Sequence, residues 1–322
     1  MTRLLIIVNP AAAKARRSWP IVRSQLEASG LEFDFYETTR VGDATDRTRV
    51  ALRCGHQTIA VLGGDGTLSE TAQGFFEFSE NPANAPLSIN PLATLAILPA
   101  GTGDDFARGL RGMRAPIAHW TATLIAYLER QPETQTRIVD VIYGRSNNYT
   151  RPFICLNAST LGIGGETGSR VAAQGKFLRR FSGETRFLVA AAAAITAWRE
   201  RRVLVSVDDC TLADGPMNLV AVTNNAYAGA GMMLSPAARI DDGKLDVVIA
   251  SGLTRAEVIR ELPRLHSGGH VANPKVKITQ GTNVRVETFR DLDALPIEVD
   301  GNVRGHSPVD YRIIPGALRF VV

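Results

Sequence analysis

Residues Ile59 to Gly74 read IAVLGGDGTLSETAQG: an apolar run, three glycines around an aspartate, then a helical pattern. Few folds accommodate that order. A continuous apolar run suits a strand covered on both faces, and glycine lets the chain turn tightly and approach another group closely. The first third of the chain repeats this texture. RLLIIVNP reads as a buried strand ending in a turn, and a helix follows around Trp19 to Ser29, closed by Gly30. EFDFYET alternates as a strand, and GDATDRTRVALRCG reads as a helix with Asp43 near its start and Gly55 at its stop. TIAVLGG, TLSETAQGFFEF and LATLAILPAGTGDDFARGL continue as strand, helix, and strand–turn–helix. Strands alternating with helices predict a parallel sheet covered on both faces.

After about Gln135 the pattern changes. RIVDVIYG, RPFICLNAS, RRVLVSVDD, MNLVAVTN, KLDVVIASG, KVKITQG, NVRVET and LPIEVDG are short strands between turn residues. Two helices interrupt them, near Thr185 to Arg201 and Arg255 to His266. Closely spaced strands with polar turns predict an antiparallel sandwich. The expected fold is α/β: a doubly wound, Rossmann-like N-terminal domain over residues 1–135, and a β-sandwich domain over 136–308. The apolar tail 309–322 is expected to dock back on the first domain.

The 322 residues suffice for two domains. Three scattered cysteines, Cys54, Cys155 and Cys210, suggest neither a disulfide framework nor a zinc site, and predict a reducing, cytoplasmic setting. The net charge of +4 is spread along the chain, which reads as a solvated surface rather than a nucleic-acid face. The N-terminal apolar run is too short for a signal-peptide core. FLVAAAAAITAW falls short of the roughly 20 residues a spanning helix needs, so no integral membrane segment is expected.

Gly63, Gly64 and Gly66 stand where a strand gives way to a helix, whose first N–H groups and dipole favour an anion. Asp65 among them would repel phosphate unless a cation lay between, and magnesium suits that place. Thr67 can cap the helix or touch a phosphate oxygen. A second junction, AILPAGTGDDFARG, repeats the scheme with Gly101, Gly103, Asp104 and Asp105, where the acids fit either helix capping or a metal–phosphate site. Neither junction is a Walker loop or a GxGxxG fingerprint.

GGDGTLSE, PAGTGDDFARG, NNAYAGAGMMLSPAARIDDGKLDVVIA and EVDGN, in this order, resemble the bacterial branch of the diacylglycerol kinase catalytic family, related to sphingosine and ceramide kinases. The resemblance spans essentially the whole chain. It implies transfer of the γ-phosphoryl group of MgATP to a lipid hydroxyl in a cleft between two domains. It implies nucleotide contacts at Asn9, Thr39, Gly63, Gly64, Asp65, Gly66, Thr67, Glu70, Gly101 and Thr102. It further implies an acidic and magnesium network of Asp65, Asp105 and Asp300, with a second, structural magnesium at Asp242 and backbone oxygens near Arg239 and Lys244. A plain Asp-Gly hairpin explains IDDGKLD as well. The partner implied is a lipid presented at a membrane surface, so a cytoplasmic, peripherally membrane-associated enzyme is expected; a homodimer is left open.

Three positions depart from the family pattern. NPAAAKA lacks the usual serine and glycines, Asp104 replaces an asparagine, and Asn302 replaces the glutamate expected as general base. Asparagine cannot accept a proton. One explanation is an exchange, in which Asp104 or Asp65 takes over base duty; another is that base catalysis contributes little to a loose phosphoryl transfer. The alternatives are a NAD kinase-like nucleotide kinase and a catalytically weakened nucleotide- or lipid-binding protein. The mixed basic and apolar stretch GKFLRRFSGETRF suits either an anionic bilayer or a helix that buries its phenylalanines. His266 and His270 flank two glycines and read as loop residues rather than metal ligands.

Overall fold

A computed structural model describes residues 3–81, 84–131, 135–146, 151–175, 181 and 183–322. The chain divides into two compact units, Met1–Val141 with Ile314–Val322, and Ile142–Ile313. It leaves the first within strand β7 (Thr136–Ser146) and returns within β20 (Val309–Val321).

The first unit is built on parallel strands β1 (Leu4–Val8), β2 (Phe33–Glu37), β3 (Thr58–Gly63) and β6 (Thr94–Pro99), in spatial order β2-β1-β3-β6. Every residue of β1, β3 and β6 is buried, as their unbroken apolar sequences require. Arg319 and Phe320 near the C-terminus add a further parallel strand beside Thr94 and Leu95 of β6. A small hairpin, β4 (Phe76–Glu77) with β5 (Leu87–Ser88), precedes β6. Helices α1 (Ala13–Ala28) and α5 (Ile117–Leu128) pack together, as do α2 (Asp43–Arg53) and α3 (Asp65–Gln73). Right-handed crossovers send α1 and α2 to opposite faces, because the chain moves outward from β1 to β2 and then back across to β3. The order therefore reverses beside β1, and residues following all these strands share one edge of the sheet. Helix α1 starts a turn and a half before Trp19, so Pro20, a helix-start signal by itself, stands inside it.

The second unit holds two antiparallel sheets. One runs β16 (Val276–Gly281), β15 (Leu245–Ala250), β12 (Leu219–Thr223), β9 (Ala158–Gly162), β18 (Pro296–Val299) and β19 (Asn302–His306). The other joins β11 (Cys210–Met217), β10 (Arg201–Val207), β17 (Asn283–Thr288) and the first residues of β20; β8 (Phe153–Cys155) pairs with the end of β7. Alternate residues Val203, Val205 and Val207, Leu245, Val247 and Ile249, and Val284 and Val286 meet in one core. Each such burial contributes about 1.5–3 kcal/mol. Helices α7 (Gly183–Ala197) and α8 (Arg255–Leu265) lie close to their expected places.

A third helix, α6 (Ile163–Ala172, IGGETGSRVA), is not legible from its glycine-rich sequence. Packing explains it. A Cβ at Gly165 would stand 2.0 Å from the Pro296 carbonyl oxygen, and one at Gly168 would stand 2.6 Å from Glu298 Cγ. The glycines sacrifice helix propensity to let α6 lie directly on β18. Lys176 to Arg180 and Ser182, the centre of the basic and apolar stretch, lie outside the described residues. Among the described residues no helix is long and apolar enough to cross a membrane.

Candidate functional site: a glycine floor at the sheet edge

At the carboxyl edge of the first unit's sheet, the turns after β3 and β6 touch backbone to backbone. A Cβ on Gly101 would lie 2.6 Å from Gly64 Cα, and one on Gly64 would lie 3.0 Å from Gly101 Cα. Neither position has room for a side chain. Gly63 is equally constrained, since its Cβ would meet Thr67 Cβ at 2.8 Å. The result is a floor of bare main chain at the start of α3, where amides and dipole favour an anion. Asn9, after β1, donates from Nδ2 to Thr67 Oγ1 at 2.8 Å and accepts from the Ala11 amide at 3.1 Å. That bond crosses the point where the strand order reverses, the usual ligand position in open α/β sheets.

Asp65 opens α3 and reaches across to α4 (Asp105–Arg111). Its two oxygens accept the Asp105 amide at 3.1 Å and the Phe106 amide at 3.0 Å. These are donors that a helix start leaves unmatched. Capping of α4 was one sequence reading of its adjacent acids; the cap comes instead from Asp65, 40 residues upstream. Asp104, in left-handed conformation at φ 50, turns its Oδ1 back to the Gly101 amide at 2.7 Å. Its Oδ2 lies 3.0 Å from Lys14 Nζ, which also approaches the Gly101 carbonyl at 3.5 Å. Lys14 belongs to the extra first turn of α1. Two departures from the family pattern, the altered first turn and Asp104, therefore meet in one ion pair beside the glycine floor.

Around this centre, Thr39 donates its amide and hydroxyl to Asp43 Oδ2, both at 2.7 Å. Those hydrogen bonds hold the buried Asp43 carboxyl below its ordinary value. Glu70 accepts the Gly42 amide at 3.0 Å, tying α3 to the start of α2. Gly66 lies in the first turn of α3, and Thr102 is exposed in the bend after Gly101. The first unit thus gathers Asn9, Gly63, Gly64, Asp65, Gly66, Thr67, Gly101, Thr102, Asp104 and Asp105 around one sheet edge, with Thr39 and Glu70 flanking.

In the second unit, Asp300 is 6% exposed and stands at φ 46 between β18 and β19. Its carboxylate accepts the amides of Leu156 at 2.8 Å, Asn157 at 2.9 Å and Ala158 at 3.3 Å. The Cys155 thiol donates to the same carboxylate at 3.3 Å, and burial with this neighbour pushes that thiol well up. Asn302 opens β19, and its buried Nδ2 has no hydrogen-bond partner among the described residues. Asp242 Oδ1 accepts the Lys244 amide at 3.1 Å and closes a turn before β15, while Arg239 lies 3.6 Å from Asp241. His266, the C-cap of α8, turns Nδ1 to the Gly231 carbonyl, and His270, in a short 3-10 turn over Gly269–Ala272, turns Nε2 to the Leu234 carbonyl.

No group of three or more His, Cys, Asp or Glu side chains that could hold a metal occurs among the described residues. The donor set suits magnesium carried in on substrate phosphates, which needs only one or two protein carboxylates. The glycine floor suits phosphate, because it presents main chain without side chains beside the start of α3.

Residues 3–142 match the diacylglycerol kinase catalytic domain, and residues 162–322 match the YegS C-terminal NAD kinase beta sandwich-like domain. The chain belongs to the diacylglycerol kinase family. As a member it is a phosphotransferase with an alcohol group as acceptor. This kinase is similar to the diacylglycerol kinase of Staphylococcus carnosus (strain TM300), 26% identical over 313 residues, covering 96% of this chain and 91% of that one. The diacylglycerol kinase of Staphylococcus haemolyticus (strain JCSC1435) is 26% identical over 310 residues, covering 95% and 84%. The crystal structure of a diacylglycerol kinase from Bacillus anthracis str. Sterne shares the fold, with a TM-score of 0.68 at 20% identity over 99% of this kinase and 96% of that chain.

Proposed function

We propose that this kinase transfers the γ-phosphoryl group of MgATP to a lipid hydroxyl, of diacylglycerol or of a sphingoid- or ceramide-like lipid. Residues 1–135 with 309–322 would form the ATP-binding domain, and 136–308 the lipid-substrate domain. The observation that carries the reading is the mutual contact of Gly64 and Gly101, two side-chain-free turns at the carboxyl ends of adjacent parallel strands. Asn9, Thr39, Gly63 to Thr67, Glu70, Gly101 and Thr102 would bind and orient the triphosphate.

When bound, magnesium would supply charge neutralisation for the transferred group. Asp65 and Asp105 would hold it, with Asp300 keeping the main chain at Leu156 to Ala158 in place. A hydrated cation at Asp242 with the Arg239 and Lys244 carbonyls belongs to the same proposal. Asn302 has no basic atom, so base duty falls to Asp104 or Asp65, or contributes little. The Lys14 pair and the Gly101 amide tie Asp104 to organising the turn. The lipid would be presented at the membrane surface by a cytoplasmic protein.

Labelled ATP incubated with diacylglycerol, sphingosine, ceramide and phosphatidylglycerol in mixed micelles tests the reading. A labelled lipid that disappears with Asp65→Asn is expected. Magnesium-dependent ATP binding without any labelled lipid would instead mark a binding protein. The match of the second half to a NAD kinase-like sandwich supports a second reading, which phosphorylation of NAD in the same assay would favour.

A further inference from the structure

Helices α6 and α7 and the start of β10 enclose a cleft of about 330 Å³ within the second unit. Arg170, Arg199 and Arg201 line it, with Glu166, Trp198 and two alanines of α7. Three guanidinium groups thus meet one carboxylate. Glu166 is committed to Arg201 at 3.1 Å, and Arg201 also donates to the Ala294 carbonyl at 3.0 Å. The Arg201 guanidinium lies 5.6 Å from the Trp198 ring centroid. Among the described residues no carboxylate pairs with Arg170 or Arg199.

Two donors at this cleft are buried without an acceptor among the described residues: Trp198 Nε1 and Arg170 Nε. Trp198 itself is 8% exposed. Buried N–H groups without partners are disfavoured, and an oxyanion would satisfy both while facing the uncompensated arginines. The helix leading into the cleft adds a second feature. α7 presents Leu188, Val189, Ala192, Ala193, Thr196 and Ala197 to solvent, and Leu188 is 64% exposed. No charged residue interrupts FLVAAAAAITAW before Arg199.

We propose that this cleft binds the phosphate of an anionic lipid, with the exposed face of α7 lying among the neighbouring acyl chains. A free phosphate would explain the arginines and the buried donors, but not the uncharged helix face continuous with them. A lipid phosphate explains all three, since basic side chains seek the headgroup layer while apolar side chains and tryptophan sit at its inner boundary.

The test is sedimentation of the whole chain with phosphatidylcholine vesicles, alone or mixed with phosphatidylglycerol, without nucleotide. Because no phosphoryl transfer is read, its outcome is separate from that of the kinase reading. The wild-type chain should bind the anionic vesicles and not the neutral ones. The Arg170→Gln/Arg199→Gln variant should lose about tenfold or more in that binding. Leu188→Glu, at an exposed position that folding does not need, should lose a comparable factor. Equal binding of the wild-type chain to both vesicle types, or binding by both variants that matches wild type, overturns the proposal. So does saturable quenching of Trp198 fluorescence by inorganic phosphate, lost in Trp198→Phe, in a chain that binds no vesicle.

Discussion

Two aspartates stand next to glycine at sheet edges, and their surroundings are opposite. Around Asp65, side chains are excluded: Gly64 and Gly101 bring bare main chain together at the sheet edge, and Asp65 itself is only half-buried. Around Asp300, the space is filled by the carboxylate itself, which three main-chain amides and a thiol converge on. Both carboxylates accept backbone N–H groups, so hydrogen bonding does not separate a ligand site from a structural one. Exposure does. A half-buried acid next to bare main chain can meet a ligand, whereas an acid buried by amides shapes the chain.

The largest effect expected from this contrast is on stability. Asp300→Ala leaves three buried amides without their acceptor and places alanine at a positive φ. With about 1–3 kcal/mol for each unmatched buried donor, and some relaxation, we expect a loss of about 4 kcal/mol in urea unfolding. Asp65→Ala removes a cap at a half-buried edge, so about 1–2 kcal/mol is expected. That variant should instead lose the stabilisation that MgATP confers on the wild-type chain. Equal destabilisation by the two variants, with the MgATP effect intact in both, would erase the distinction between the half-buried and the buried carboxylate.

A glycine pair sharpens the comparison at a smaller scale. Gly101 is required for space, since its Cβ would collide with backbone 2.6 Å away. Gly301 is required for conformation: it stands at φ 87, with nothing within 4 Å of its Cβ position. Gly101→Ala should cost about 1–3 kcal/mol by overpacking, and Gly101→Asn should cost more because it is larger. Gly301→Ala should cost about 1–2 kcal/mol, and Gly301→Asn less, because asparagine adopts the left-handed region more readily. The order of alanine and asparagine thus reverses between the two sites. The same order at both would mean that one physical constraint governs them.

Much of the first unit was legible because its signals are local. Apolar runs of five or six residues that end at proline or glycine signals specify both the strands and their turns, and Gly63 to Thr67 could be read before any neighbour was known. What was not legible depends on partners remote in sequence. Lys14 and Asp104 are 90 residues apart, and the pair required α1 to begin ahead of Trp19, where its helical pattern reads as starting. Helix α6 was hidden because its glycines answer to Pro296 and Glu298 rather than to helix propensity. Glu166 and Arg170 of the arginine cleft were hidden with it. Asp300 carried an Asp-Gly turn signal, but its amide partners lie on a loop 142 to 144 residues away.

The smallest expected effect concerns pH and compares the two units again. In the second, Thr254 and Glu257 form a reciprocal cap at the start of α8, and Lys275 Nζ lies 2.8 Å from both Glu257 oxygens. Lys275 and the Thr254 amide bring the Glu257 carboxyl down from 4.5 to about 2. Nearby, burial lowers the His270 imidazole from 6.5, against the pull of the Leu234 carbonyl and Glu261. In both cases the unfolded chain takes up the proton first on acidification. Stability therefore begins to fall as pH drops through 6.5, where unfolded His270 becomes protonated, and falls again from 4.5 toward 2 through Glu257. In the first unit, the lowered Asp43 carboxyl adds only to the second phase. His270→Gln should flatten the unfolding midpoint between pH 7 and 5 while leaving the loss below 4.5 in place. Glu257→Gln should do the reverse. A wild-type midpoint that stays level from pH 7 to 5 would show that His270 titrates alike in both states, and would remove any acid response peculiar to the second unit.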